Sequence, residues 1–325
     1  VDRAALSRGS SIYMPDSKIP MIPTVLAEGS CSLMPGMVRP AISTLVEISP
    51  YFEVLDFEII ATLIRVKDRF TYHDVNLISQ DNREISLLRN IATNFRRHRI
   101  SSGAVHIAVP EVNLWFSEAG EFQISRVNRE SPGRMLVSEL MIMANWLMAR
   151  FLTDRNIPAI FRTQPGPKER LYSGDEGSMF QNYMQRRKLS RFVLSTSAGR
   201  HSGLGLDAYV TATSPIRKHF DLVTQRQVRA GIGLEDPYTA DEIAVIINSL
   251  EHPMGRVQQL QRGRNRYWLL KYLEGRIGQK EGAMVLFKKR NCYQILIPEY
   301  MIECELPISS GIKLNPEDLI RVTIQ

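Results

Sequence analysis

The residues best suited to chemistry lie in one short stretch, Ser214-Pro215-Ile216-Arg217-Lys218. Serine is a favoured N-cap and proline suits the first helical position. The spacing therefore predicts a helix over 215–231 capped by Ser214, with Ile216, Phe220 and Val223 facing inward. Arg217 then falls in the first turn, where a positive charge opposes the helix dipole at a cost of roughly 0.3 kcal/mol or more. Free N–H groups plus an arginine also make an anion site. Either a bound phosphate or a carboxylate from another element would account for this cation.

The surrounding elements must position that stretch. "DAYVTAT" (207–213) reads as a strand leading into it, and "SAGRHSGLGL" (197–206) as a flexible, Gly-rich connection. Upstream, residues 3–8 suggest a short helix and "SSIYMP" (10–15) an extended segment closing on Pro15. β-branched alternation over 40–48 and 52–66 predicts antiparallel strands. Helices are expected over 72–80 and 81–98, the latter capped by Asp81, with Ile85, Leu88, Ile91 and Phe95 on one face. Strands follow near 104–107 and 112–126, the second split by a turn. A strand over 157–167 runs into a Pro/Gly loop, a helix covers 174–189, and two helices fill 239–274. After Gly275 short β-type runs alternate with turn residues, which fits a small β-barrel.

Residues 134–152 form the most apolar long stretch. Arg134, Glu139, Asn145 and Arg150 interrupt it, so it reads as a buried helix rather than a membrane span. The chain has 325 residues, 44% of them hydrophobic, which is ample for a core and excludes global disorder. Its net charge of +7 suits a polyanionic partner, nucleic acid first. Three cysteines, Cys31, Cys292 and Cys304, with no CxxC, argue against a disulfide framework or a zinc site and for a reducing, cytoplasmic setting. Val1 is not an initiator Met, and no signal or transit pattern is visible.

The order of residues in "HSGLGLDAYVTATSPIRKHFDLVTQR" (201–226) closely resembles the signature of the ribonuclease II/R (RNB) family of exoribonucleases. Its elements are His201, Gly203-Leu204, Tyr209, Thr213, Ser214 to Lys218, Asp221 and Arg226. Residues 2–36, "DRAALSRGSSIYMPDSKIPMIPTVLAEGSCSLMPG", resemble the family's RGTS-x-Y-x-P and IPMLP region, and "SELMIMAN" its buried helix. "IPAIFRTQPGP" and the C-terminal strands resemble later family segments in the same order, so the likeness covers essentially the whole chain.

The resemblance implies an α+β fold. An RNB catalytic domain, with antiparallel sheet packed against helices, would occupy residues 1–275, and a partial OB-type RNA-binding barrel residues 276–325. It implies processive 3′→5′ hydrolysis of single-stranded RNA to nucleoside 5′-monophosphates, with Mg²⁺ as cofactor and a monomeric, non-membrane protein. Arg217 matches the arginine at the scissile phosphate, with Ser214 and Lys218 beside it. Tyr13 matches the aromatic that stacks on 3′-terminal nucleotides. Tyr72 matches a residue near the ribose, where the 2′-OH separates RNA from DNA. Ser138, Gln261 and Arg262 fall at further RNA-contacting positions.

This sequence departs from the family pattern at four places. Ser138 replaces the first of two glutamates, leaving Glu139 as a buried, paired structural acid. Ile107 stands where the family has a stacking Phe, and Gln261 where it has Glu. The family's metal-binding aspartate cluster has no counterpart: no D-x-D or D-D occurs in the chain. Asp2 and Asp221 read as structural acids, Asp221 as the partner of a basic group. The metal site is thus expected on chain preceding Val1, making the domain N-terminally truncated and this piece inactive alone. The alternatives are a catalytically inactive RNA-binding protein on an RNB scaffold and, more remotely, a basic structural or ribosome-associated protein.

Overall fold

The computed structural model describes residues 2–174, 177–308, 311 and 313–325. The chain is mixed α and β, and all its paired strands are antiparallel. A first helix, α1 (Asp2–Arg8), leads into a tight ribbon, β1 (Ile12–Met14) and β2 (Ser17–Ile19). The long ribbon of β3 (Val38–Ile48) and β4 (Val54–Arg65) follows, in continuous register apart from one shift near Glu47/Ile48. These strands form where β-branched residues alternate, as expected.

Next come α2 (Tyr72–Ile78), α3 (Arg83–Ser101), the ribbon β5 (Glu111–Phe116) with β6 (Phe122–Val127), and the central helix α4 (Pro132–Asp154). The cap of α3 is Asn82, whose side chain accepts from the Ile85 N–H, rather than Asp81. Residues 104–107 form no strand. The segment is used instead as a coil, with the Val105 N–H on the Gly203 carbonyl and the Ala108 N–H on Asn182.

α4 is long and apolar enough to span a bilayer, yet its buried residues include Leu147, Leu152, Glu139 and Asn145. Glu139 takes a bidentate ion pair from Arg99 of α3, the shortest contact 2.6 Å, with both side chains buried. Asn145 holds the Tyr209 hydroxyl at 3.1 Å and the Ala212 N–H at 2.9 Å. These bonds satisfy polar groups that a hydrocarbon surround would leave unpaired. Around them Met148, Phe151, Leu152, Phe161, Val210 and Val228 make the main core.

After α4 the ribbon β7 (Phe161–Thr163) pairs with β8 (Val193–Ser195), flanking α5 (Met179–Lys188). Residues 175 and 176 of the expected 174–189 helix lie outside the described residues. The Gly-rich connection folds on itself through the His201–Leu206 bridge. Gly205 has φ of +69°, and a Cβ there would collide with the Arg99 carbonyl, so only glycine fits. "DAYVTAT" contributes a single bridge, Phe161–Val210, instead of a strand, because Asn145 and β7 take its backbone groups.

Two helices close the fold, α6 (His219–Gly231) and α7 (Ala240–Glu274). α7 is one helix of 35 residues where two were expected. Pro253 lies inside it, at a cost of about 3 kcal/mol in isolation. Buried Ile243 and Leu250 before it, and Val257, Leu269 and Leu273 after it, offset that cost. The C-terminal strands β9 (Lys280–Lys288), β10 (Cys292–Ile297), β11 (Ile302–Pro307) and β12 (Leu319–Thr323) form one sheet in the order β11-β10-β9-β12. One face packs on Leu269 and Leu273 of α7, the other on Phe180, Tyr183 and Met184 of α5. Both faces are thus covered, which is why Ala283 to Leu286 are all buried.

Candidate functional site

Ser214 to Arg217 do not begin the helix. α6 starts at His219, and Lys218 is its N-cap without a side-chain capping bond. Ser214 instead opens a tight turn: its carbonyl accepts from the N–H groups of Arg217 (3.1 Å) and Lys218 (3.0 Å). The reason lies in Asp221, 1% exposed, whose Oδ2 accepts the Ser214 N–H at 2.9 Å. That bond ties the turn back onto the first turn of α6. Asp221 was expected to pair with a basic group and forms no salt bridge among the described residues. Burial pushes its carboxyl up, while the charges of Lys218 and Arg217 pull the other way.

The turn is zipped to the N-terminal segment. The Arg217 carbonyl accepts the Ser11 N–H at 2.9 Å and the Ser10 hydroxyl at 3.0 Å, and the Gly9 carbonyl accepts the His219 N–H at 2.9 Å. Ser10 and Lys218 form an antiparallel bridge. Ser11, itself buried, accepts the Met21 N–H with its hydroxyl. Ile216 packs against Ala5, Met21 and Ile22. With its backbone anchored and its neighbour's side chain inward, Arg217 is exposed, and its guanidinium makes no hydrogen bond or ion pair with any described residue. Among the described residues it is a held cation with no directly bonded carboxylate.

Arg217 lines a cavity of about 290 Å³ with Ser11, Tyr13, Lys18, Thr213 and Ser214. Tyr13, 45% exposed, comes from β1 and is the register partner of Lys18 on β2. The ammonium lies 5.9 Å from the ring centroid and 2.9 Å from Glu28. Gln261 of α7 donates to the Tyr13 carbonyl at 3.4 Å, and Arg264 grips Asp16 in the β1–β2 turn. Arg262 is exposed, and among the described residues its side chain bonds only Gln258, one turn back. Lys218 is exposed at the rim.

The structure thus brings Tyr13, Ser214 and Arg217 to one cavity, with Gln261 behind it and Lys218 beside it. Tyr72 and Ser138 do not line that cavity. Tyr72 opens α2, 42% exposed, with the Arg134 guanidinium 4.4 Å from its ring centre, and Ser138 is exposed one turn further along α4. Lys18, Arg134 and the Ser10-Ser11 pair escaped sequence reasoning. Only Lys18 carried a signal, its placement across a tight turn from Tyr13.

Several ionisable groups are shifted by their surroundings, of which His201 and His219 are buried. His201 is driven down to about 4, chiefly by burial, and His219 is lowered by burial too. Arg162, over the Phe192 ring, is lowered by burial. Arg226 pairs with Asp2 at 2.9 Å, and that partner holds the Asp2 carboxyl below its usual range. Among the described residues, no three His, Cys, Asp or Glu side chains come together where they could hold a metal ion. Within the basic runs at 96–99, 186–188 and 288–290, five side chains pair with acids of the same chain: Arg96 with Glu130, Arg99 with Glu139, Arg187 with Glu303, Lys188 with Glu169 and Lys289 with Glu305.

Comparison with known proteins gives this geometry a family. The RNB domain model matches residues 1–174 and 173–233. An uncharacterized ribonuclease of Synechocystis sp. is 33% identical over 97% of this chain and 49% of its own length. The chain therefore spans about half the length of that curated relative. Mycoplasma genitalium RNase R, solved in complex with ribose-methylated single-stranded RNA, superposes with a TM-score of 0.83 at 17% identity, over 99% of this chain and 61% of that one. Yeast Ssd1, a pseudonuclease, superposes with a TM-score of 0.75 at 19% identity, over 94% and 44%. The match over the anchored turn, the Tyr13 ribbon and the central helix makes this chain a member of the RNB-domain family of ribonucleases II and R.

Proposed function

We propose that this chain is the substrate-handling part of a processive, hydrolytic 3′→5′ exoribonuclease acting on single-stranded RNA and releasing nucleoside 5′-monophosphates. The observation that carries the reading is the unpaired Arg217 guanidinium, held by its own backbone at a cavity walled by Tyr13. A guanidinium so placed forks onto a phosphate without first breaking an ion pair. Tyr13 offers a ring to the adjoining base, a contact indifferent to sequence. Gln261 keeps the Tyr13 backbone in register with α7. Tyr72 and Ser138, outside the cavity lining, are assigned to the incoming strand.

Magnesium enters only as the cofactor that the family resemblance implies. The described residues do not fit a metal site, so no step here goes through one. The division at residue 275, with the C-terminal sheet as an RNA-binding barrel, belongs to the same proposal, as do a monomeric state and a cytoplasmic setting.

A second reading, RNA binding without hydrolysis, is favoured by Ser138 and Gln261 standing where the family pattern has acids. One experiment separates the two. The chain, and the longest protein containing it, are incubated with 5′-labelled single-stranded RNA and Mg²⁺. We expect RNA binding by the chain without degradation, and mononucleotide release with 3′ shortening by the longer protein. Binding by both with release by neither establishes the second reading. EDTA-sensitive release by the 325-residue chain would overturn the assignment of the metal to other residues.

A further inference from the structure

We propose a second nucleobase subsite beside the Arg217 cavity: an aromatic shelf made by Phe116 and Trp268, across the wall formed by Tyr13 and Lys18. The proposal rests on the reading of the Arg217 cavity as an RNA site and extends it.

An open cleft of about 690 Å³ is lined by Tyr13, Pro15, Lys18, Phe116, Gly120 and Trp268. Tyr13 and Lys18 line the Arg217 cavity as well, so the two compartments share a wall. The cleft's three aromatic residues come from three separate elements. Tyr13 comes from β1, Phe116 from the end of β5, and Trp268 from α7. The Phe116 and Trp268 rings meet edge to face, centroids 4.7 Å apart and planes at 81°, so one supplies a floor and the other a side. Phe122 stacks behind Trp268 at 5.8 Å and 24°, and Tyr267 closes from the α7 side at 5.1 Å. The rings are thus braced before anything binds.

The charges around the shelf are settled too. Arg264 lies 5.3 Å from the Trp268 ring centre and is bound to Asp16, holding that carboxyl below its usual range. This pair locks the β1–β2 turn to α7 and leaves Asp16 without bare charge to repel a phosphate. Lys18 is tied to Glu28. The shelf therefore offers ring faces with little unpaired cation, which suits a base more than a backbone. Stacking of one base on such a ring contributes about 1–3 kcal/mol, roughly 5- to 150-fold in affinity, and is sequence-tolerant. A strand with its phosphate at Arg217 and one base against Tyr13 would set the adjoining base on Phe116 and Trp268. The aromatic face that Ile107 does not supply is present here in another part of the chain.

The test is equilibrium binding of the chain to a five-residue oligoadenylate and to an abasic ribose–phosphate oligomer of equal length. Wild type should prefer the oligoadenylate. Phe116→Leu and Trp268→Leu should each weaken oligoadenylate binding about tenfold while leaving abasic binding unchanged. Phe116→Leu keeps the result interpretable if loss of the indole loosens the ribbon, and a melting curve reports that. Oligoadenylate binding unchanged in a folded Phe116→Leu, but lowered by Arg217→Ala, would overturn the shelf and leave the Arg217 reading standing. Binding of neither oligomer by wild type would overturn both.

Discussion

Replacing Arg217 with alanine removes a guanidinium that no described protein group holds, so the consequences separate cleanly. The Arg217 carbonyl bonds to Ser10 and Ser11, and the Ser214–Asp221 bond that sets the turn, involve no part of its side chain. The residue is exposed, and without its charge the buried Asp221 carboxylate still keeps the Ser214 N–H and the Lys218 charge. The stability cost should therefore stay within about 0.5 kcal/mol, with little change in Tm. RNA affinity should fall less than about tenfold, since one phosphate contact among several is lost. Turnover is different. A cation aimed at charge that develops in the transition state is worth about 10²–10³ in kcat, roughly 3–4 kcal/mol. Arg217→Lys keeps the charge but loses the planar fork, so it should recover only part of that rate. The assay is single-turnover mononucleotide release by the longest protein containing this chain, with fluorescence anisotropy for binding and a thermal melt for folding. A large affinity loss with unchanged turnover would refute the transition-state role. A collapse of Tm would refute the claim that the turn is held by backbone alone.

Two further outcomes follow from the buried groups. Glu139→Ala leaves Arg99 as an uncompensated buried cation and should cost about 3–5 kcal/mol, read as a lowered denaturant midpoint. Glu139→Gln, which keeps the shape and loses the charge, should be almost as damaging, and a neutral result would sink the claim. His201 gives a pH dependence. Its folded value near 4 lies below the ordinary 6.5, so between those values the unfolded chain binds more protons. Stability is then full above about pH 6.5 and falls on acidification towards pH 4, by up to about 3 kcal/mol from this one group. Urea midpoints of wild type and His201→Gln at pH 7 and 4.5 measure it. The wild type should lose more than the variant on acidification, and equal losses would refute the assignment.

Much of the site was legible in the chain because the relevant information is local or strictly ordered. Ser214 to Lys218, Tyr13 and Gln261 stand in a fixed sequence order, the composition of α4 announced a buried helix, and the family resemblance implied that Glu139 within it is paired. Where periodicity was strong, as in β3, β4 and α3, the elements appeared within a few residues of expectation. The failures share a cause: backbone groups claimed by distant chain. Residues 104–107 and 207–213 have strand-like composition, yet Gly203, Asn182, Asn145 and β7 take their hydrogen bonds. Two helices were expected over 239–274, yet packing on both sides of Pro253 carries α7 through as one.

By itself, then, the sequence determined the class of the fold, its family and the presence of a cation in an unusual place. Only the tertiary structure decided what that place is. Proline after serine suits a helix start, but the buried Asp221 draws the Ser214 N–H away and delays the helix to His219. The expected penalty of a cation inside the first helical turn is thereby avoided. Arg217 stands ahead of the helix, anchored by residues some two hundred positions away, with its charge turned outward. No local rule contains that contact, because it depends on α1 and β1 folding against the turn, and it is this contact that converts an awkward arginine into an available one.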